Sequence, residues 1–440
     1  MKKTMKRVAS VAAVILLFLG CMNGMRFLLT DDTSSYTRLM MHELYHTKEN
    51  IDLAFVGSSH VYRSLVPEVT DAGFGAHTFN LGTSSQPMDG SLALIRELAA
   101  GNEVRQIYLE MYYGIASMCS YQERTELTSV YIISDYMKPS LRRLSFLTQA
   151  VPKPYWPDGF LLARRNWKKF FDADYVKNVI AAKQTESYRN CTWVKSEGQT
   201  EYYVERGFVA NDAVAPENGF YPSAYSPVLL DEISDDWKRS LRQIIRFCKK
   251  KNIALTLFIS PMQEAVIAGK GNYDAYHQLV RQIAKEEQLE FYDFNLVKPQ
   301  YFITAGNRYF KDEDHLNTAG AYAYSRLFGD FFTGKIAQED LFYDSFEEKL
   351  AGTKPSVYGL AGFYEDAGAG TKYARIISSR PSGMEYRISV RTQAGEERAL
   401  QDFSENTQIA LPLEEQGVLT IRWRMKENPE QGGELELVYE

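Results

Sequence analysis

Between residues 51 and 332, short apolar runs alternate with longer stretches of helical periodicity. Residues 51–56 end at Gly57-Ser58-Ser59, and residues 77–81 end at Gly82. Residues 88–99 read as a helix with Leu92, Leu94, Ile95 and Leu98 apolar, and residues 104–111 as a third strand. In residues 235–251, Trp237, Leu241, Ile244, Ile245 and Cys248 recur at helical spacing. Residues 255–259 predict a buried strand that stops at Ser260-Pro261; residues 273–288 predict a helix and residues 289–294 a strand. Asn317 or Thr318 caps a last helix running to about Phe332. This alternation predicts a three-layer α/β fold, a mostly parallel sheet covered on both faces. Such sheets bind ligands at the carboxyl ends of their strands.

Two regions break the pattern. Residues 117–231 are rich in Tyr, Trp, Arg and Lys, with prolines between Pro139 and Pro157. They predict an insertion of helices and loops, either a lid or substrate platform or a structural elaboration away from substrate. From about Leu350, Gly and Pro punctuate short alternating runs such as residues 386–390 and 418–423. These predict a small all-β, sandwich-like accessory domain over 350–440.

The N-terminus sets the compartment. Lys2, Lys3, Lys6 and Arg7 precede an uncharged, mostly apolar stretch over residues 8–25, which ends at Arg26. About 18 such residues approach the length needed to cross a hydrocarbon layer of about 30 Å. The basic residues before it, with Asp31 and Asp32 after it, orient the N-terminus to the cytoplasm and the body outside. Residues 1–29 are expected to be a cytoplasmic stub and single-pass anchor, and 30–345 the main domain. Leu19-Gly20-Cys21 faintly matches a lipoprotein cleavage site, and a cleaved signal peptide is the other alternative.

The net charge is −6 and no basic run follows the first seven residues, which argues against a nucleic-acid surface. The four cysteines do not make a disulfide scaffold. Outside the cell a Cys119–Cys191 bridge is permitted, and Cys248 falls in a helical core pattern. The sequence calls for no metal and no cofactor. His42 and His46 with Glu43 have helical spacing but no further partner, and read as a solvated helix face.

Ser59 follows the first strand, where a preceding glycine permits a tight turn and the next helix aims its N–H groups at a developing anion. Serine needs a base to become a nucleophile. His315, in Asp312-Glu313-Asp314-His315-Leu316-Asn317, is the best candidate, and Asp312 can reach back to its Nδ1. Gly-x-Ser, then Asn80-Leu81-Gly82, then Asp-x-x-His-x-Asn occur in an order that resembles the SGNH (GDSL-like) hydrolase superfamily. The resemblance spans residues 51–332 without the insertion. It implies Ser59 as nucleophile, His315 as base, Asp312 as its orienter, and the backbone of Ser59 and Gly82 as oxyanion donors. Ser58 stands where the family has Asp, and its Gly-x-Asn-Asp block is replaced by Leu109-Glu110-Met111-Tyr112-Tyr113-Gly114. The chain is similar in this to envelope proteins such as the D-alanine-transfer protein of teichoic acid modification, which also use Gly-Ser-Ser. Tyr112, Tyr113, Ser84 or Gln86 could replace the missing donor. His60, Arg63 and Glu110 are further candidate substrate contacts, with packing or ion pairing as their alternative roles.

The expected function is a membrane-anchored extracytoplasmic serine esterase or O-acyltransferase acting on acyl esters of a cell-envelope glycan. Its partners would be that glycan or another acyl-carrying substrate, with a membrane acyl-transfer protein as a further candidate. The rival is a non-catalytic glycan-binding or assembly protein of the same fold.

Overall fold

Strands buried on both faces are mostly apolar, with any polar side chain hydrogen-bonded inside; β1 (Leu53–Gly57) and β2 (Thr78–Gly82) are buried at every position, and in β2 Thr78 Oγ1 donates to Asp71 and Asn80 Nδ2 to Leu65 O. In the computed structural model these strands join β3 (Gln106–Glu110), β4 (Ala254–Ile259) and β5 (Glu290–Asp293) in one parallel sheet of order β2-β1-β3-β4-β5. The residues described are 2–116, 121, 123–365, 372–411 and 417–439. Cys119, and with it the Cys119–Cys191 pairing, lies outside them.

Alternation along the strands divides the core in two. Ala54, Val56, Ile107, Leu109, Leu255 and Leu257 pack on one side with α5 (Met88–Leu98), α6 (Asp235–Lys251) and α8 (Tyr273–Glu287). Leu53, Phe55, Tyr108 and Phe258 pack on the other with α3 (Ser59–Ser64) and α9 (Thr318–Phe332). The chain is thus a mixed α/β structure with helices on both faces of a central parallel sheet.

Helix ends follow local chemistry. Ser234 caps α6 by accepting from Trp237 N; Asp235 and Asp236 occupy the first turn and Lys249, Lys250 and Lys251 the last. Asn252, with φ 56°, closes that helix in the left-handed conformation. Asn317 caps α9, accepting from Gly320 N at 2.9 Å.

The order 2-1-3-4-5 puts β1 where the connections reverse direction. A crevice opens there at the carboxyl ends of the strands, and Ser59 and Gly82 lie at that edge.

The 117–231 region contains short helices and the antiparallel pair Glu201–Tyr203 and Val209–Asn211. Its turn covers the free edge of β2: Asn80 N donates to Arg206 O at 2.9 Å. Gly207, with φ 81°, allows this approach, because a Cβ there would sit 2.1 Å from Asn80 O.

After α10 (Phe346–Gly352) come β6 (Val357–Glu365), β7 (Lys372–Ser378), β8 (Met384–Thr392), β9 (Glu397–Ser404), β10 (Gln408–Leu411), β11 (Gly417–Met425) and β12 (Gly432–Tyr439). They form two sheets, β10-β7-β6 and β9-β8-β11-β12, with antiparallel pairing within each. Leu360, Ile376, Ile388, Ile409, Leu419 and Ile421 fill the core between them. One strand of the first sheet comes from elsewhere: Phe220–Tyr221 pairs in parallel with β6, Tyr221 opposite Ala361.

At the other end, α1 (Lys2–Leu29) is long and apolar enough to cross a membrane. Among the described residues, its side chains become partly buried only from Met22 onward.

Candidate functional site

β1 ends in a turn with no room for a side chain. A Cβ on Gly57 would lie 2.5 Å from Glu110 Cβ and 2.6 Å from Val61 Cγ2. Ser58 then caps α3, and Ser59 begins that helix half-exposed at the sheet's edge.

The second half of the site comes from the loop before α9. Asp312 Oδ1 accepts from the N–H groups of Asp314 at 3.0 Å and His315 at 2.8 Å, and this self-closing turn presents the imidazole. Lys311 N donates to His315 O at 3.0 Å, and Gln263 Nε2 ties Asp312 O to the segment after β4 at 3.0 Å. His315 Nδ1 lies 3.0 and 3.1 Å from the two Asp312 carboxylate oxygens, and His315 Nε2 lies 2.8 Å from Ser59 Oγ. Two segments 256 positions apart thus form one hydrogen-bonded line from carboxylate to imidazole to hydroxyl.

Burial pushes the Asp312 carboxyl up. The hydrogen bond and charge of His315, joined by Lys311 at 2.6 Å, outweigh it and hold the group well below the usual carboxylate range. Asp312 is therefore an anion wherever the site could work, able to stabilise an imidazolium on His315.

The expected neighbours fall into three groups. Gly82 is paired with Gly57 across the sheet and sits hard against α3; a Cβ would lie 2.8 Å from Ser58 O and 3.0 Å from Tyr62 N. Ser84 is exposed beside it, its hydroxyl 3.2 Å from Tyr62 Oη. His60 and Tyr112 form the back of the site: the His60 ring stacks on His315 at 4.6 Å and meets Tyr112 at a tilt at 4.1 Å, and Tyr112 leans on buried Tyr113 at 4.7 Å.

Glu110, Gln86 and Arg63 lie inside the protein rather than on the cleft wall. Glu110 is buried under the Gly57–Ser59 turn, accepting from Ser58 N at 2.8 Å and Ser58 Oγ at 2.7 Å. Burial, offset in part by those bonds, pushes its carboxyl up to about 7. Gln86 bonds Thr83 and Ser91, each at 3.0 Å. Arg63 pairs with Glu201 of the 117–231 region at 2.8 Å, fastening that region to α3.

Sequence reasoning did not find the roles of Asp314 and Glu313. Asp314 is mostly shielded, its carboxyl raised by burial against the pull of His315. Glu313 accepts from Ser223 N at 2.9 Å and Ser223 Oγ at 2.5 Å. Acidic residues are common just before a helix, and no signal in this run marks Ser223 as a partner. Among the described residues no cluster of His, Cys, Asp or Glu could hold a metal ion.

No family model and no curated protein matches the chain. Among solved structures it is similar to a Streptococcus pneumonia protein provisionally named a platelet activating factor, at 13% identity and TM-score 0.34, over 73% of this chain and 98% of that one. It is also similar to a Bacteroides fragilis protein provisionally named an acylhydrolase, at 8% identity and TM-score 0.31, over 67% of this chain and 94% of that one. At these TM-scores the functional reading rests on the site itself.

Proposed function

We propose that the chain is a serine esterase or O-acyltransferase of the SGNH type, anchored by α1 with its body outside the membrane, and that its substrate is an acyl ester of a cell-envelope glycan. The observation that carries the chemistry is the 2.8 Å contact between Ser59 Oγ and His315 Nε2, continued at 3.0 Å to Asp312. His315 takes the Ser59 proton as Oγ attacks the acyl carbonyl. The Ser59 and Gly82 N–H groups receive the oxyanion. Collapse expels the alcohol, which leaves with the proton from His315, and the acyl group stays on Ser59. Water or a sugar hydroxyl then gives its proton to His315, attacks the ester and frees the serine.

The envelope substrate is supported by the anchor's placement. The missing Asn block leaves a binding role as the second reading, and one reagent separates the two. A fluorophosphonate should label the folded chain, and Ser59→Ala should abolish the label. A folded chain that takes no label would favour binding over catalysis.

A further inference from the structure

The segment Leu162–Arg165 and the turn Trp167–Phe171 carry an unusual surface. Trp167 is 49% exposed, Phe170 57% and Phe171 76%. The rings meet edge to face, Trp167–Phe171 at 6.0 Å and Phe170–Phe171 at 5.7 Å, and the patch faces outward. Three large aromatics exposed within five residues cost solubility unless something covers them.

Their position says what does. Both segments pack against the last turns of α1, as does the helix Ala173–Lys183. The end of α1 is held to the body at three points, and the residues just after it at a fourth. Arg26 Nη2 donates to Asp135 O at 2.6 Å, Lys183 Nζ to Phe27 O at 3.0 Å, Tyr175 Oη to Leu29 O at 3.1 Å, and Lys183 pairs with Asp32 at 3.0 Å. The depth of the patch is therefore fixed relative to the outer end of the apolar helix.

The charge fits the same neighbour. Residues 162–171 contain Arg164, Arg165, Lys168 and Lys169 and no acid. Arg164 and Arg165 are paired with Asp158 and Asp135. Among the described residues Lys168 and Lys169 have no carboxylate partner; Lys169 lies over the Tyr175 ring at 4.7 Å. Tryptophan, phenylalanine and free lysines beside the exit of a membrane span have the composition of the headgroup layer's own contacts.

We propose that Trp167, Phe170 and Phe171 seat in the headgroup layer of the bilayer, with Lys168 and Lys169 against anionic lipid, making a second foot beside α1. This rests on reading α1 as a membrane span. Two footings stop the body from swinging on a single tether and hold Ser59 at a set height above the lipid.

The test uses the full chain in vesicles of phosphatidylcholine and phosphatidylglycerol with acyl chains brominated near the headgroup. The lipid-quenched part of the tryptophan emission should be lost in Trp167→Phe, a change at an exposed ring whose fold is checked by near-ultraviolet circular dichroism. Lys168→Glu with Lys169→Glu should weaken the quenching in these vesicles more than in phosphatidylcholine alone. Equal quenching in wild type and Trp167→Phe, with the chain still floating with the vesicles after a carbonate wash, overturns the second foot and leaves the anchor standing. That result would point to a protein cover for the patch. A chain stripped from the vesicles by the wash removes the anchor reading and this proposal together.

Discussion

The His60 ring lies face to face on His315, centroids 4.6 Å apart and planes 17° apart, while its other neighbour is Tyr112. Burial, and then the nearness of His315, hold the His60 imidazole well below its ordinary range, so it stays uncharged beside His315. On the proposed mechanism, His60 would act through His315 as a positioning residue.

His60→Phe keeps a flat ring against His315 and removes a titrating group, whereas His60→Ala opens a gap behind it. The alanine variant should lower kcat by about 10–10²-fold with a smaller effect on KM, as a displaced catalytic group does. The phenylalanine variant should recover most of that loss. Ester turnover by both variants across pH checks this; equal losses would mean that ring packing is not what His60 supplies.

Glu110 should shape how stability depends on pH. Its carboxyl binds a proton more tightly in the folded chain, at about 7, than at its ordinary value of 4.5. Between those values the folded state holds the extra proton, so stability falls as pH rises and levels off above about 7. The span corresponds to roughly 3 kcal/mol. Urea unfolding should show this slope in the wild type and lose it in Glu110→Gln. Glu110→Ala should cost about 1–3 kcal/mol, because the Ser58 N–H is left buried without its acceptor.

Lys349 is fully buried, and Nζ donates to Asn295 O at 2.8 Å and Thr304 Oγ1 at 2.7 Å, with Glu264 at 3.7 Å. Burial brings its ammonium down to about 8. Lys349→Ala should destabilise the chain by about 3–5 kcal/mol, since it strands a buried carboxylate and two acceptors. Thermal unfolding reads this directly. A small shift would mean that water replaces the ammonium without loss.

The elements of the α/β body were legible where periodicity was strong. The helix predicted over 235–251 has those bounds, and the strands predicted over 255–259 and 289–294 lie within a residue of β4 and β5. The pairing of Ser59 with His315 and Asp312 was legible as chemistry in order along the chain. Side-chain direction was not. Glu110 reads as a substrate contact until β3 is seen to turn it under Gly57, and His60 reads as substrate contact or packing until α3, beginning at Ser59, is seen to lay it buried against His315. The two-residue strand at Phe220 and Tyr221 carries no periodicity, and its partner lies about 140 positions on.

That short strand has a mechanical consequence. Tyr221 is stitched to β6, and two residues later Ser223 grips Glu313 inside the turn that carries His315. Pulling or cutting the C-terminal sheets would slacken the imidazole's mounting as well as remove a surface. A ligand that stiffened those sheets would hold the turn carrying His315 more firmly.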